Sequence, residues 1–205
     1  MESDYPSGMV IPSQPDLPAD VCWADLSAQE KHTRLLRAAG EVFAREGLDA
    51  PMPAIAAAAG AGIGSVYRQF PSKEDLLAAL VVERLRDAGI RAERALGSSD
   101  GPWMALVALL RTLAEEQVGD DVLGEALATV SEHPAVEEAI GETMVAIERL
   151  LAAARAEGSL RGDATGLDVR LILSATRAAG QLGRDAWRRM LELGIDALQA
   201  GAAEP

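Results

Sequence analysis

The sequence predicts an all-α protein. From Ala28 onward Ala, Leu, Glu and Arg dominate, and runs of β-branched residues are almost absent. Apolar residues recur at helical spacing, and glycines and prolines divide the chain into helix-length segments. No segment has the pattern of a strand. We therefore expect an N-terminal group of three short helices, a longer connecting helix and a C-terminal helical domain.

The first helix is expected over Ala28–Glu46, with its apolar face formed by Leu35, Leu36, Ala39, Val42 and Phe43. Gly47 suits the position that follows a helix. The residues before Ala28 are interpreted as a flexible tail over 1–27, because four prolines interrupt it. Within the tail, Trp23 and Leu26 are candidates for docking on the folded body.

Two short helices are expected next, over Pro53–Ala59 and Ile63–Phe70, with Gly60 ending the first of them. A fourth helix starts at Ser72, where Ser-Lys-Glu-Asp fits a capping box, and continues to about residue 96. Residues 97–102 form a break. The C-terminal domain, 97–205, is expected to contain helices over Trp103–Val118, Asp121–Ser131, Ala135–Glu157, Leu167–Leu182 and Asp185–Ala200.

The composition excludes several function classes. Cys22 is the single cysteine, and with two scattered histidines the chain has neither an internal disulfide nor the usual ligands of a zinc site. No nucleophile, base or metal cluster is apparent, so we expect neither an enzyme nor a cofactor. The sequence has no apolar run of transmembrane length and no signal pattern, which favours a cytoplasmic protein without a membrane partner.

The net charge of −13 argues at first against a nucleic-acid partner. The charges are unevenly distributed, however. Between Lys31 and Lys73 six basic residues stand against three acidic ones, so this stretch is net basic in an acidic chain. Such asymmetry indicates a local anionic partner or a chance fluctuation, and charge alone does not separate the two.

Two short helices joined by a glycine turn match a helix-turn-helix, whose second helix enters the major groove of DNA. Gly60 allows a left-handed turn, Gly62 suits the N-cap and Gly64 leaves the backbone bare for close approach. The backbone N–H groups at the start of the fourth helix suit a phosphate oxygen.

The stretch AGAGIGSVYRQFPSKEDLL, residues 59–77, resembles the N-terminal domain of TetR-family transcriptional regulators, as does LLRAAGEVFAREGLDA before it. The resemblance covers about residues 31–80. It implies a DNA-binding domain over 28–80 and a C-terminal domain that dimerises and binds a small-molecule effector. Two departures are Ala61, smaller than the usual turn residue, and the start of the second helix, which lacks a polar phosphate anchor.

The resemblance assigns Ser65 to a backbone contact and Tyr67 and Lys73 to phosphate contacts, and Gln69 replaces a common histidine. Arg68 could bind a guanine edge or a phosphate, and we favour the phosphate. The residues expected to bind DNA are Arg34, Gly62, Ile63, Gly64, Ser65, Tyr67, Arg68, Gln69 and Lys73.

The C-terminal domain supplies the remaining candidate residues. Small and apolar residues of the last two helices are expected to form a dimer interface, namely Ala175, Ala179, Gly183, Trp187, Leu191, Gly194 and Leu198. A mostly apolar lining suits an organic effector. Its candidate residues, each of which is also a candidate for ordinary core packing, are Trp103, Met104, Val107, Leu110, Leu127, Val130, His133, Met144 and Ile147.

These features favour a dimeric DNA-binding transcriptional regulator, a repressor released from its operator when a small molecule binds. The alternative is a helical ligand-binding or scaffold dimer in which DNA binding is weak or lost. The overall negative charge and the missing anchors near Met52 favour that alternative slightly.

Overall fold

The computed structural model describes residues 21–183 and 185–201. A short 3-10 helix, Trp23–Asp25, precedes nine α-helices in these ranges, and the all-α prediction is confirmed there. The helices are α1 Ala28–Glu46, α2 Met52–Ala59, α3 Ile63–Gln69, α4 Lys73–Ala95, α5 Pro102–Gly119, α6 Asp121–Thr129, α7 Pro134–Ala156, α8 Gly166–Gly180 and α9 Ala186–Leu198.

Local chemistry accounts for the ends of the N-terminal helices. The Ser27 hydroxyl accepts from the Glu30 N–H, and the Glu30 carboxylate accepts from the Ser27 N–H, which together form a capping box at α1. Gly60 ends α2 in the left-handed conformation, with φ 65° and ψ 30°. Because side chains are strained in this conformation, glycine is the residue that the α2–α3 turn requires.

The chain divides into two compact units. Among the described residues, the first contains those up to Arg84 together with Asp120–Glu138, and the second contains Leu85–Gly119 and those from Ala139 onward. Segment 120–138, which carries α6, therefore groups with the N-terminal helices rather than with the helices on either side of it in the sequence.

Two polar contacts join this segment to α4 within the first unit. Arg84 of α4 lies 3.6 Å from the carboxylate of Asp120, and both side chains are largely buried. The same Asp120 caps α6 by accepting from the Leu123 N–H. His133 Nε2 lies 3.4 Å from Asp75 Oδ1 near the start of α4. Long-range contacts of this kind explain why the unit includes residues distant in sequence.

The core of the first unit is formed by apolar faces of its helices. Helix α1 packs against α2, and α2 packs against α3. Phe43 and Ile55 are fully buried, as is Val66 of α3. Since α2 has eight residues and α3 has seven, neither helix is stable alone in water, and burial of these faces holds them.

In the second unit, α8 packs against α9 and both contact α5. Trp187, Leu191, Ile195 and Leu198 of α9 are buried in this core. The crossing is close at Gly194, where an added Cβ would lie 2.6 Å from Ile172 Cγ2. On the surface Arg111 forms a two-bond ion pair with Glu192, at 3.0 and 2.9 Å.

The segment before α1 differs from the predicted tail. Its residues from Val21 onward are described, and Leu26 is buried against the folded unit, as the candidate docking of this residue implies. Arg34 of α1 donates to the Val21 carbonyl at 2.6 Å, which fixes the backbone just before the 3-10 helix. Residues 1–20 of the predicted tail lie outside the described residues.

Extended pairing is limited to one antiparallel bridge, between Leu160 and Gln199, within the described ranges. None of the helices in the described ranges has the length and apolar character that a membrane span requires.

Replacing Gly194 by Ala is expected to lower the free energy of unfolding by about 1–3 kcal/mol, because the new Cβ would overlap Ile172. Chemical denaturation measures the change. Gly141→Ala is the matched control, since Gly141 is also helical and a Cβ there meets no described atom within 4 Å. The control is expected to gain up to about 1 kcal/mol. Equal stability of both variants would contradict the close crossing.

The start of α4 provides a pH-dependent test. The Ser72 hydroxyl accepts from the Asp75 N–H, and hydrogen bonding to Ser72 holds the pKa of Asp75 below its usual value of 3.8. A carboxyl whose pKa is lower in the folded state stabilises the fold above its unfolded pKa, and this stabilisation is lost as the pH falls through its folded pKa.

Ser72→Ala is therefore expected to cost about 0.5–2 kcal/mol at pH 7. The difference from the unchanged protein should shrink in denaturation curves measured below about pH 4. A difference that stays constant from pH 7 to the acid limit would contradict this account of Asp75.

Candidate nucleic-acid interface

Helix α3 has one buried side and one open side. Val66 and the adjoining Phe70 are buried, whereas Ile63 and Tyr67 are 40% and 47% exposed. Gly62, Gly64 and Arg68 are also exposed. The turn at Gly60 and the anchoring of Val66 thus leave the predicted groove-facing residues on one accessible surface. We call this surface, Gly62–Ser65 with Tyr67 and Arg68, the α3 face.

Arg68 and Ser65 lie one helical turn apart on the α3 face. Arg68 Nη2 donates to Ser65 Oγ at 3.1 Å. Within the described chain Arg68 has no carboxylate partner, unlike Arg45, which pairs with Glu46 at 2.7 Å. The guanidinium is therefore oriented by a neutral hydroxyl and keeps its charge and most of its N–H groups for an external acceptor.

Lys73, at the first position of α4, is half-buried. Its Nζ lies 5.8 Å from the centroid of the buried Phe43 ring, a cation–π distance. The apolar stem of the side chain is thus held against the α1 core, while the ammonium group belongs to the surface at the α3–α4 junction. This positive charge is positioned rather than freely moving.

The start of α4 differs from the sequence-based picture in one respect. The predicted capping box forms, with Ser72 N donating to Asp75 Oδ2 at 2.9 Å and Asp75 N donating to Ser72 Oγ at 3.0 Å. Both N–H groups are therefore used internally, and a carboxylate occupies this helix end. A phosphate at this site would rely on the Lys73 charge.

Of the residues predicted to bind DNA, Arg34 is engaged within the protein and Gln69 is half-buried. Arg34 is half-buried and donates to Val21, and its Nη2 lies 3.4 Å from where a Gly60 Cβ would be. The Gln69 Oε1 atom is buried and accepts no hydrogen bond from the described residues. Arg34 thus braces the segment before α1 beside the α2–α3 turn, a contact that no local pattern in the sequence indicates.

The nine candidate effector residues belong to two different units. Leu127, Val130 and His133 lie in the first unit, and the other six lie in the second. Val107, Leu110 and Ile147 are buried in the core of the second unit, and Trp103 and Met144 pack against it. Met104 is 53% exposed. Ordinary core packing therefore accounts for most of the candidate effector residues in the second unit.

The predicted dimer residues are largely buried within one chain. Trp187, Leu191, Gly194 and Leu198 face the core of the second unit, on the inner side of α9. The outer sides carry other apolar residues, Leu167 and Leu171 of α8 and Leu193 of α9, which are 60%, 58% and 45% exposed. Ala175 and Ala179 are partly exposed, and Gly183 is exposed.

A second apolar stripe on α8 and α9 is the signal that would have identified these leucines. Leu167 and Leu171 are four residues apart, and Leu193 follows Met190 by three, so each pair shares a helix side. We call Leu167, Leu171, Met190 and Leu193 the leucine surface. In the described ranges, no group of three His, Cys, Asp or Glu side chains could hold a metal ion.

Comparison with known proteins agrees with this geometry. Residues 35–80 match the family model described as bacterial regulatory proteins, tetR family. A TetR transcription regulatory protein from Mycobacterium vanbaalenii is 30% identical, with a TM-score of 0.61 over 83% of this chain and 95% of that one. A TetR transcriptional regulator from Streptomyces coelicolor is 28% identical, with a TM-score of 0.60 over 83% and 99%.

The fold is also that of RolR in complex with resorcinol, at 21% identity and a TM-score of 0.62 over 85% of this chain and 90% of that one. No curated protein sequence matches the chain. The α3 face, the family match at residues 35–80 and the likeness of the whole fold agree with one another. The chain belongs to the TetR family of bacterial regulatory proteins.

Proposed function

We propose that this TetR-family protein, a DNA-binding transcriptional regulator, acts in the cytoplasm as a dimeric repressor that a small molecule releases from its operator. The α3 face is the observation that carries the proposal. An exposed arginine and an exposed tyrosine follow two bare glycines on a short helix, beside the positioned ammonium group of Lys73. This combination suits an anionic partner that comes close to the backbone of α3.

In this proposal α3 enters the major groove, and Tyr67 and Lys73 bind phosphates at its edge. Phosphate contacts set the register of the protein on DNA, whereas contacts with base edges carry sequence information. Ser65, Ile63 and Gly64 lie at the groove. Arg34 acts indirectly, since its guanidinium donates to the Val21 carbonyl, and the Oε1 atom of Gln69 is buried.

The leucine surface is the proposed dimer interface. Four apolar side chains on the outer sides of α8 and α9 lie on neighbouring helices, and burying them between two copies would form a four-helix bundle. A two-fold dimer gives two α3 helices, which would bind two half-sites of a palindromic operator. Trp187, Leu191, Gly194 and Leu198 support that surface from inside the same chain.

Segment 120–138 is the proposed route of release. It carries three candidate effector residues, Leu127, Val130 and His133, and it contacts α4 through the Asp120–Arg84 and His133–Asp75 pairs. A ligand that moves this segment would disturb the start of α4, beside the proposed DNA contacts. Because coupling between sites is reciprocal, operator DNA must then weaken effector binding by the same factor.

The alternative is a ligand-binding dimer with weak or lost DNA binding. The net charge of −13 and the internal engagement of Arg34 favour it. The two functions differ in the salt dependence of DNA affinity, which is steep only where phosphates are neutralised.

Fluorescence anisotropy of the intergenic duplex upstream of the protein's own gene, beside an unrelated duplex, tests the proposed function. Lys73→Met keeps the apolar stem over Phe43 but removes the charge. It is expected to weaken binding to both duplexes and to reduce the salt slope by about 1 for each Lys73–phosphate contact.

Arg149→Ala is the matched control for that experiment, since Arg149 is an exposed cation of the second unit paired with Glu93. Its affinity and salt slope should equal those of the unchanged protein. Unchanged affinity and salt slope in Lys73→Met would remove Lys73 from the interface.

Leu171→Glu is expected to convert the dimer to a monomer, because it places a charge in the proposed apolar interface. Sedimentation equilibrium measures the mass. Val145→Glu is the matched control, since Val145 is 63% exposed on α7 and is not one of the residues of the leucine surface. A Leu171→Glu protein that remains dimeric would rule out this interface.

A further inference from the structure

Gly62 and Gly64 have no explanation inside the protein. Neither has a positive φ, and a Cβ built on either residue would meet no described atom within 4 Å. They differ in this from Gly60, which needs its left-handed conformation, and from Gly194, which lies against Ile172. The described part of the fold would accept a side chain at both positions.

The two glycines also weaken α3. Gly64 lies within the first turn of a seven-residue helix, where glycine costs about 0.5–1 kcal/mol relative to alanine. Gly62 is the N-cap and provides no side-chain acceptor, although Ser or Asp would provide one. The two glycines thus lower the stability of α3, although its packing does not require them. This indicates that an external surface comes close to the helix backbone.

Arg68 follows Gly64 by four residues in α3. Residues four apart share a helix side, so Gly64 precedes Arg68 on the same side of α3. The Ser65 hydroxyl orients the guanidinium, which is exposed and has no carboxylate partner in the described chain. A guanidinium held in one orientation beside an unobstructed backbone suits a partner that presents two hydrogen-bond acceptors in one plane.

We propose that Arg68, positioned by Ser65, reads a guanine in the major groove, and that Gly64 lets α3 come close enough for it to do so. This inference rests on the proposed function, since it requires DNA at the α3 face. Guanine presents two adjacent acceptors, N7 and O6, which an arginine binds with two hydrogen bonds. A phosphate at the rim of the groove, the contact that the sequence alone favours for Arg68, would not require the bare backbone at Gly64.

Gly64→Gln tests the close approach. The variant should be as stable as the unchanged protein or more stable, because glutamine is a better helix former and its Cβ meets no described atom. Its DNA affinity should fall by at least about tenfold, as expected when a side chain stands where the backbone must approach. The probe is a duplex that the unchanged protein enriches from a random pool.

Gly141→Gln is the matched control, since Gly141 is exposed, helical and free of described neighbours at its Cβ position. It should show the same change in stability, while its affinity stays within twofold. A Gly64→Gln protein that binds the probe as tightly as the control would overturn the role of Gly64.

Arg68→Ala tests the guanine assignment in parallel selections from the same pool. The unchanged protein should enrich a half-site with a fixed guanine, and the variant should lose the preference at that one position. Replacing this guanine by 7-deazaguanine removes the N7 acceptor. The replacement should lower the DNA affinity of the unchanged protein by roughly tenfold and leave the DNA affinity of Arg68→Ala unaffected.

Ser65 is a positioning residue in this scheme. Ser65→Ala should reduce the guanine preference, and Ser65→Thr, which keeps a hydroxyl, should restore it. If Arg68→Ala enriches the same half-site as the unchanged protein, Arg68 does not read a base and the inference fails while the proposed function stands. If the unchanged protein enriches no duplex, the proposed function and the inference both fail.

Discussion

The left-handed turn at Gly60 is the constraint on which the α3 face, the proposed DNA-binding surface, depends. It joins a helix of eight residues to one of seven, and helices this short are not stable in isolation. The turn directs α3 so that Val66 is buried while Ile63 and Tyr67 remain exposed. Arg34, a residue predicted to bind DNA, lies beside the same turn. Its hydrogen bond to the Val21 carbonyl supports the geometry of the helix-turn-helix from within the protein.

The first turn of α4 combines three tasks in a few residues. Ser72 and Asp75 cap the helix, Lys73 places its charge over Phe43, and Asp75 also faces His133 from segment 120–138. Helix capping, the proposed DNA contact and the proposed effector response therefore meet at one helix end. A movement of segment 120–138 would act directly on the start of α4, because Asp75, which contacts His133, lies two residues from Lys73.

The elements governed by local chemistry could be predicted from the sequence. The bounds of α1, the capping box at Ser72 and the turn at Gly60 follow from short-range hydrogen bonds and backbone preferences, and all three are confirmed. The exposure of the α3 face follows from them, because the period of a helix places Val66 and Arg68 on different sides.

The features that depend on tertiary contacts could not be predicted. Both sides of α9 carry apolar residues, and the choice between them depends on α8, whose Ile172 packs against Gly194. For this reason the sequence does not reveal that Leu191 is buried within the chain whereas Leu193 is exposed. The grouping of α6 with the first unit involves contacts between residues at least 36 positions apart, such as that of Arg84 with Asp120.

The central claim is that two α3 faces of a dimer bind DNA, and hydroxyl-radical footprinting tests it most directly. The substrate is the set of fragments that the protein retains from the genomic DNA of its own organism. The account predicts two protected half-sites related by a two-fold axis, with centres separated by about 34–36 Å or a multiple of it. Retention of no fragment, or protection without paired half-sites, would contradict the account.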